Sequence, residues 1–222
     1  MSLTPDFRLD HQRAERLGFD EAIFCAGKAV AHIVQILDHA HESNLRMLLT
    51  RLSAEQFEQL PQSHRSRIDY EPISRTGYLG APHEVSDDLR LAVVAAGTSD
   101  VFVSREAART LRYYGVPYVE MTDVGVAGLW RLLERVEELR RMSVVIAVAG
   151  MDAALPTVLA GLVSCTVIGV PTSVGYGVAT GGRAALHALL ASCAPGLLVT
   201  NIDNGYGAAC AALRILRVAA AG

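Results

Sequence analysis

"SVVIAVAGMDAALPTVLAGLVSCTVIGVP", residues 143–171, decides the fold. Its two apolar ends, "SVVIAVAG" and "CTVIGVP", are strand-sized, and the helix-length "AALPTVLAGLV" separates them. Strands of a parallel sheet read as unbroken apolar runs because helices cover both faces. The same alternation extends outward on both sides. Upstream lie "LRLAVVAA", "SREAARTLRYYG", "VPYVEM" and "VAGLWRLLERVEELRR"; downstream lie "GGRAALHALLASC", "GLLVTN" and "GAACAALRILRVAA". Five short apolar strands, each followed by a helix-length segment, predict a three-layer α/β domain with a mostly parallel sheet over residues 86–222.

Residues 1–85 have a different pattern and are expected to form a smaller, mixed α/β domain. After a charged start, "DHQRAERLGF", come a short apolar "EAIF", an amphipathic helix in "AVAHIVQILDHA" and a strand in "LRMLLTR". "LSAEQFEQL" predicts a helix capped by Ser53, with Gln56 three residues on completing a capping box. The turn-rich "PQSHRSRIDYEPISRTGYLGAPHEV" reads either as a strand pair or as a linker.

Composition narrows the function classes. With 51% hydrophobic and 19% charged residues in 222, the chain has material for a substantial core. Its apolar stretches are broken well short of the roughly 20 residues of a membrane helix. A soluble, cytoplasmic protein without a secretory signal is expected, since Asp6 and Arg8 stand where a basic start and an apolar run would be. Cys25, Cys165, Cys193 and Cys210 form no CxxC pair and no zinc-like spacing. A net charge of -3 gives no footprint for nucleic acid. Lys28 is the sole lysine, so the C-terminal half has no candidate for Schiff-base chemistry. "AGKA" at 26–29 lacks the pattern of a Walker A loop.

In open α/β sheets ligands bind beyond the carboxyl ends of the strands. The segments there are "GTSD" (97–100), "TDVGVAG" (122–128), "GMDAALP" (150–156), "PTSVGYGVATGG" (171–182) and "NIDNGYG" (201–207). Thr98, Ser99 and Asp100 fit a phosphate cradle at a helix start and fit an ordinary N-cap equally well. The 171–182 loop exceeds the two to about six residues that a plain connection needs, which favours binding. Candidate substrate-binding positions in the other segments are Asp123, Ser173, Gly175, Tyr176, Gly177, Asn201 and Asn204. Asp152 and Asp203 each end a strand and are open to capping, metal binding or general-base work.

Cys193 ends the predicted helix before "APG". A helix C-terminus disfavours a thiolate, so the pattern alone favours a packing role unless a positive charge comes from elsewhere, such as a cationic substrate. His187 lies well around that helix and does not form a dyad with it.

Taken in order, "AVVAAGTSD", "DVGVAGLWRLL", "VVIAVAGMDAALPTVLAGLV", "VIGVPTSVGYG", "GGRAALHALLASCA" and "TNIDNGYGAA" resemble the LarB family, the pyridinium-3,5-biscarboxylic acid mononucleotide synthases of nickel-pincer cofactor biosynthesis. "RLGFDEAIFCAGK" and "LLTR" look like the same family's opening motifs. The C-terminal half is similar in turn to the PurE fold of aminoimidazole ribonucleotide carboxylases and mutases. Their GSxSD phosphate loop corresponds to "AGTSD" here, and their histidine-containing segment to "TDVGVAGLW", which has no histidine.

The resemblance implies a carboxylase and hydrolase acting on nicotinic acid adenine dinucleotide, with carbon dioxide or bicarbonate as co-substrate and Mg²⁺. Its products would be the dicarboxylated mononucleotide and AMP. The family's nucleophile falls on Cys193, and its acidic partner, usually a glutamate, falls on Asp152. Thr98, Ser99 and Asp100 would lie on the phosphate side, with Asp203 a metal candidate and a homo-octamer the implied assembly. Arg105 stands where an acid is typical and could bind phosphate or carboxylate. The competing readings are an aminoimidazole ribonucleotide carboxylase or mutase, and a nucleotide-binding regulatory protein without turnover.

Overall fold

The computed structural model describes residues 7, 9, 10 and 12–220, the last without its side chain. The chain divides into two compact units, Met1–His83 and Glu84–Gly222.

The N-terminal unit contains α1 (Arg13–Leu17), β1 (Ala22–Phe24), α2 (Val30–Glu42), β2 (Met47–Thr50), α3 (Ala54–Gln59), α4 (Gln62–Arg65), β3 (Ile68–Glu71) and β4 (Thr76–Leu79). Its sheet runs in the order β1-β2-β4-β3, with β1 and β2 parallel and the other neighbours antiparallel. The turn-rich stretch after residue 60 is thus a strand pair. On α2, Ile33, Ile36, Leu37 and Ala40 recur at helical spacing and pack against Met47, Leu49, Ile68 and Leu79. Burying each such Leu or Ile contributes roughly 1.5–3 kcal/mol. Both halves of the expected capping box form: Ser53 Oγ accepts from the Gln56 N–H, and Gln56 Oε1 accepts from the Ser53 N–H, each at 3.1 Å. The Gln56 amide also donates to the carbonyls of Cys25 and Lys28, tying α3 to the turn after β1.

The C-terminal unit continues with β5 (Leu91–Ala95), α5 (Val101–Tyr113), β6 (Val119–Met121), α6 (Leu129–Leu133), α7 (Val136–Leu139), β7 (Val144–Ala149), α8 (Ala154–Ala160), β8 (Thr166–Pro171), α9 (Arg183–Leu190), β9 (Leu198–Val199) and α10 (Gly205–Ala220). All five strands are parallel, in the order β6-β5-β7-β8-β9. Every residue of β5 and β7 is buried, as central strands covered on both faces require. The order reverses between β5 and β7, which makes the carboxyl ends of those two strands the expected ligand crevice. Among the described residues no helix is long and apolar enough to cross a membrane.

Two helices differ from expectation. "VAGLWRLLERVEELRR" breaks into a 3₁₀ turn, α6 and α7, because the Arg135 N–H bonds the Leu132 carbonyl in a tightened step. Leu132, Val136 and Leu139 are nevertheless all buried. The helix expected to reach Cys193 stops at Leu190. Cys193 therefore lies three residues beyond the helix.

Candidate active site

At the β5/β7 switch point lies a cavity of about 540 Å³. Ala96, Gly97, Ser99 and Asp100 line it after β5, Gly125 to Ala127 after β6, Gly150 to Asp152 after β7, and Val174 after β8. Its walls are mostly apolar or glycine, with Ser99, Asp100 and Asp152 as the polar groups, the composition typical of a small-molecule site.

Hydrogen bonds lace the loops that build it. The Ala96 N–H donates to the Val148 carbonyl, Thr172 N–H to Ala149, Met151 N–H to Val174 and Asp203 N–H to Pro171. Asp100 ties three of these loops together. It is only 4% exposed; its Oδ2 accepts from the Gly97 N–H at 3.0 Å and its Oδ1 from the Thr172 hydroxyl at 2.7 Å. Burial raises its carboxyl above the ordinary 3.8, hydrogen bonds from Thr172, Gly97 and Gly150 pull it back, and the charge of Asp203 adds to the rise. Asp100 thus positions the loops of the cavity that it also lines, with both its oxygens accepting hydrogen bonds from them. Gly150 is required for the same closure: a Cβ there would stand 2.5 Å from the Val174 carbonyl oxygen and 2.6 Å from Thr172 Oγ1.

The turn holding Asp152 is strained. Met151 and Ala153, on either side of it, have φ of 56° and 48°. Outside glycine such conformations cost roughly 1–2 kcal/mol each and collect at functional sites. Asp123 and Asp203, at the ends of β6 and β9, share this conformation. Asp152 Oδ1 accepts weakly from the Ala154 N–H at 3.4 Å, in the first turn of α8.

The remaining sequence candidates are distributed around this cavity. Thr98 is exposed and outside its lining. Asp123 pairs with Arg131 on α6. The Ser173 N–H donates to Asp203 Oδ1 at 2.7 Å. Gly175 folds against Ala179, Gly177 has φ 58°, and Tyr176 is 78% exposed. Asn201 Oδ1 accepts from the Ile202 N–H, and Asn204 Oδ1 caps α10 through the Gly207 N–H. Asn204 is therefore a cap through its Oδ1. Arg105 is drawn to Glu120 on β6, its Nε 3.4 Å from Glu120 Oε1, and is not part of the cavity wall.

Cys193 is exposed and is likewise outside the cavity lining. It sits in a turn closed by Ser192, whose Oγ accepts from the Ala194 N–H at 3.2 Å and from the Thr157 hydroxyl at 2.9 Å. Thr157 and Ala154 are i,i+3 on α8 and so share a face. One helical turn thus holds the Asp152 loop at one end and the Cys193 turn at the other. Sequence reading missed Thr157, Ser192 and Thr172; the Ser-x-Ala spacing of "SCA" is the signal for the closed turn.

Among the described residues no three His, Cys, Asp or Glu side chains converge as a metal cage. Asp203, with its charge felt at Asp100, offers hard oxygen donors. That chemistry suits Mg²⁺, which commonly takes one or two carboxylates and fills its other positions with phosphate oxygens and water.

Family comparisons agree with this two-unit architecture. Residues 4–81 match the LarB/PurE-like N-terminal domain, and residues 90–221 match the AIR carboxylase domain. An uncharacterized protein of Methanocaldococcus jannaschii is 36% identical over 210 residues, covering 90% of this chain and 80% of that one. An N5-carboxyaminoimidazole ribonucleotide mutase of the same organism is 35% identical over 133 residues, covering 57% of this chain and 78% of that one. The crystal structure of Treponema denticola PurE2-S38D superposes with a TM-score of 0.47 at 20% identity, covering 59% of this chain and 80% of that one. The C-terminal unit is that of a carboxylase-type enzyme of the PurE superfamily. Matched along nearly its whole length by both domain models, the chain belongs to the LarB family.

Proposed function

We propose that this enzyme carboxylates the pyridinium ring of nicotinic acid adenine dinucleotide and hydrolyses its phosphoanhydride, releasing AMP. The observation that supports this is the shared anchorage of Asp152 and the Cys193 turn on the first turn of α8. A pyridinium ring is too electron-poor to attack carbon dioxide. Addition of the Cys193 thiolate to the carbon beside the ring nitrogen forms a C–S bond and moves an electron pair onto nitrogen. The resulting enamine carbon bonds to carbon dioxide. Asp152 then accepts the proton from that carbon, the C–S bond breaks, and the thiolate leaves with the ring aromatic again. The ring's positive charge favours the thiolate at the start.

For the hydrolysis, Ser99, which lines the cavity at the start of the helical segment after β5, would offer a hydroxyl donor for phosphate. Mg²⁺ held by Asp203 and the substrate's own oxygens would supply charge stabilisation at the phosphoanhydride. A homo-oligomer, an octamer by family resemblance, belongs to the same proposal.

The test is incubation of the full chain with nicotinic acid adenine dinucleotide, bicarbonate and Mg²⁺, beside Cys193→Ala, with products followed by mass spectrometry. Dicarboxylated mononucleotide and AMP from the first, with no carboxylated product from the second, is the expected result. Absence of product from both, with the dinucleotide still bound, overturns it. The mutase relatives favour a second reading, turnover of an aminoimidazole ribotide indifferent to Cys193, and a parallel incubation with that substrate decides between them.

A further inference from the structure

The N-terminal unit contains a basic groove that the chemistry above does not use. In its sheet, Leu79 of β4 pairs with Met47 of β2 on one side and Ile68 of β3 on the other. One residue further, the same registers bring Gly80 between Arg46 and Arg67, whose Cα atoms then stand about 10 Å apart, two strand spacings. Gly80, with φ 81°, leaves room for the Arg46 stem: a Cβ there would lie 3.2 Å from Arg46 Cγ. Arg67 is positioned differently, its Nη2 donating to His41 Nδ1 at 2.7 Å. That bond requires His41 to be neutral and protonated on Nε2.

The groove encloses about 440 Å³; its polar lining is His41, Asn44, Arg46 and Arg67, and among the described residues no carboxylate lines it. Arg46 also borders a neighbouring pocket with Asp10, Asp20 and Glu21. Those acids have other partners: Asp10 pairs with Arg16, Asp20 with His83, and Glu21 accepts from the Asp10 N–H. Arg46 and Arg67 therefore border one space that, among the described residues, no carboxylate lines. We propose that this groove binds the phosphate group of a small phosphorylated molecule. Two arginines bordering one space match the several oxygens of a tetrahedral phosphate better than the two of a flat carboxylate. The Asn44 amide adds a neutral donor.

Arginine modification with phenylglyoxal, read site by site by peptide mass spectrometry on the full chain, tests this. Millimolar inorganic phosphate, or AMP, is expected to slow modification of Arg46 and Arg67 and leave arginines outside the groove unchanged. In Arg67→Ala, protection of Arg46 should require at least about tenfold more phosphate, the loss of one charge-assisted contact. Equal protection by sodium chloride at the same ionic strength overturns the proposal. So does no protection at all, or protection of Arg46 undiminished in Arg67→Ala. Both arginines are exposed, so their replacement leaves the core intact. AMP protecting at lower concentration than phosphate assigns a phosphorylated molecule as occupant; equal concentrations assign the free anion.

Discussion

The two turns proposed to carry the chemistry are built in opposite ways. The β7–α8 turn around Asp152 is held by strained backbone, with Met151 and Ala153 both at positive φ, and by a buried carboxylate, Asp100, beneath it. The α9–β9 turn around Cys193 is exposed; backbone hydrogen bonds tie its start to α9, and one side-chain hydrogen bond, Thr157 to Ser192, ties it to α8. Strain persists only where surrounding contacts over-determine it, so the Asp152 turn is pre-set before substrate arrives. A nucleophile that must approach a ring, bond to it and leave again is better served by the looser attachment. The difference teaches that the Asp152 turn is fixed by its own strained backbone, and the Cys193 turn by a side chain of α8.

The largest expected effect tests the pre-set half. Asp152→Asn should slow carboxylation by at least about 10²-fold, the usual scale for loss of a general base. The Cys193 adduct should still form, visible in the intact mass. Asp152→Glu should stay within about tenfold of the parent, because the longer acid can still reach the proton. Asparagine at wild-type speed would break the comparison, since the strained turn would then hold nothing chemical. Gly150→Ala comes next. Its Cβ drives into the Val174 carbonyl and Thr172, so a loss of about 1–3 kcal/mol in denaturant unfolding is expected. Unchanged stability would mean that the loops are not locked together there.

Asp100 sharpens the same point through pH. Its folded pKa lies above its unfolded one, so its contribution to stability is full below about 3.8 and is lost as pH rises through the raised folded value. Asp100→Asn removes that fall, so the stability of the parent relative to the variant should decline with rising pH above 3.8 and then level off. At neutral pH the variant should still be the less stable of the two by about 1–3 kcal/mol, because an amide offers one acceptor oxygen where the carboxylate serves several donors. A pH-independent difference between the two proteins would remove Asp100 from its lacing role.

The order of elements was legible because each parallel strand is an unbroken apolar run and each crossover a helix-length segment; "SVVIAVAG" and "CTVIGVP" are both strands, paired in parallel from Val144 with Thr166 through Ala149 with Pro171. The cavity's place followed from strand ends alone, and Ser99 and Asp152 do line it. What sequence did not reveal is direction. Asp100 reads as an N-cap or a phosphate contact; its carboxylate does accept from the Gly97 N–H at the helix start, and it also reaches Thr172, 72 residues away, which no local pattern shows. Asn204 reads as a binding group, yet it caps α10. The helix end near Cys193 was placed three residues late, because "LLASC" keeps an apolar rhythm past Leu190. Local pattern fixes elements; which way a polar side chain turns depends also on partners far along the chain, as Thr172 is for Asp100.

The smallest effect bears on the looser half of the comparison. Thr157→Val preserves shape while removing the hydroxyl that Ser192 accepts from, at a cost of about 1 kcal/mol or less. Global stability should barely move, and Asp152, held by its own backbone, should keep its place. Hydrogen exchange in residues 191–196 should quicken, since the turn closed by Ser192 and Ala194 would then float free of α8. If the thiol is positioned by this one bond, adduct formation should slow several-fold while substrate binding is unchanged. That split separates a positioning residue from a merely structural one. Faster exchange with unchanged adduct formation would mean that the substrate itself gathers Cys193 to the ring, and α8 would then hold only the base.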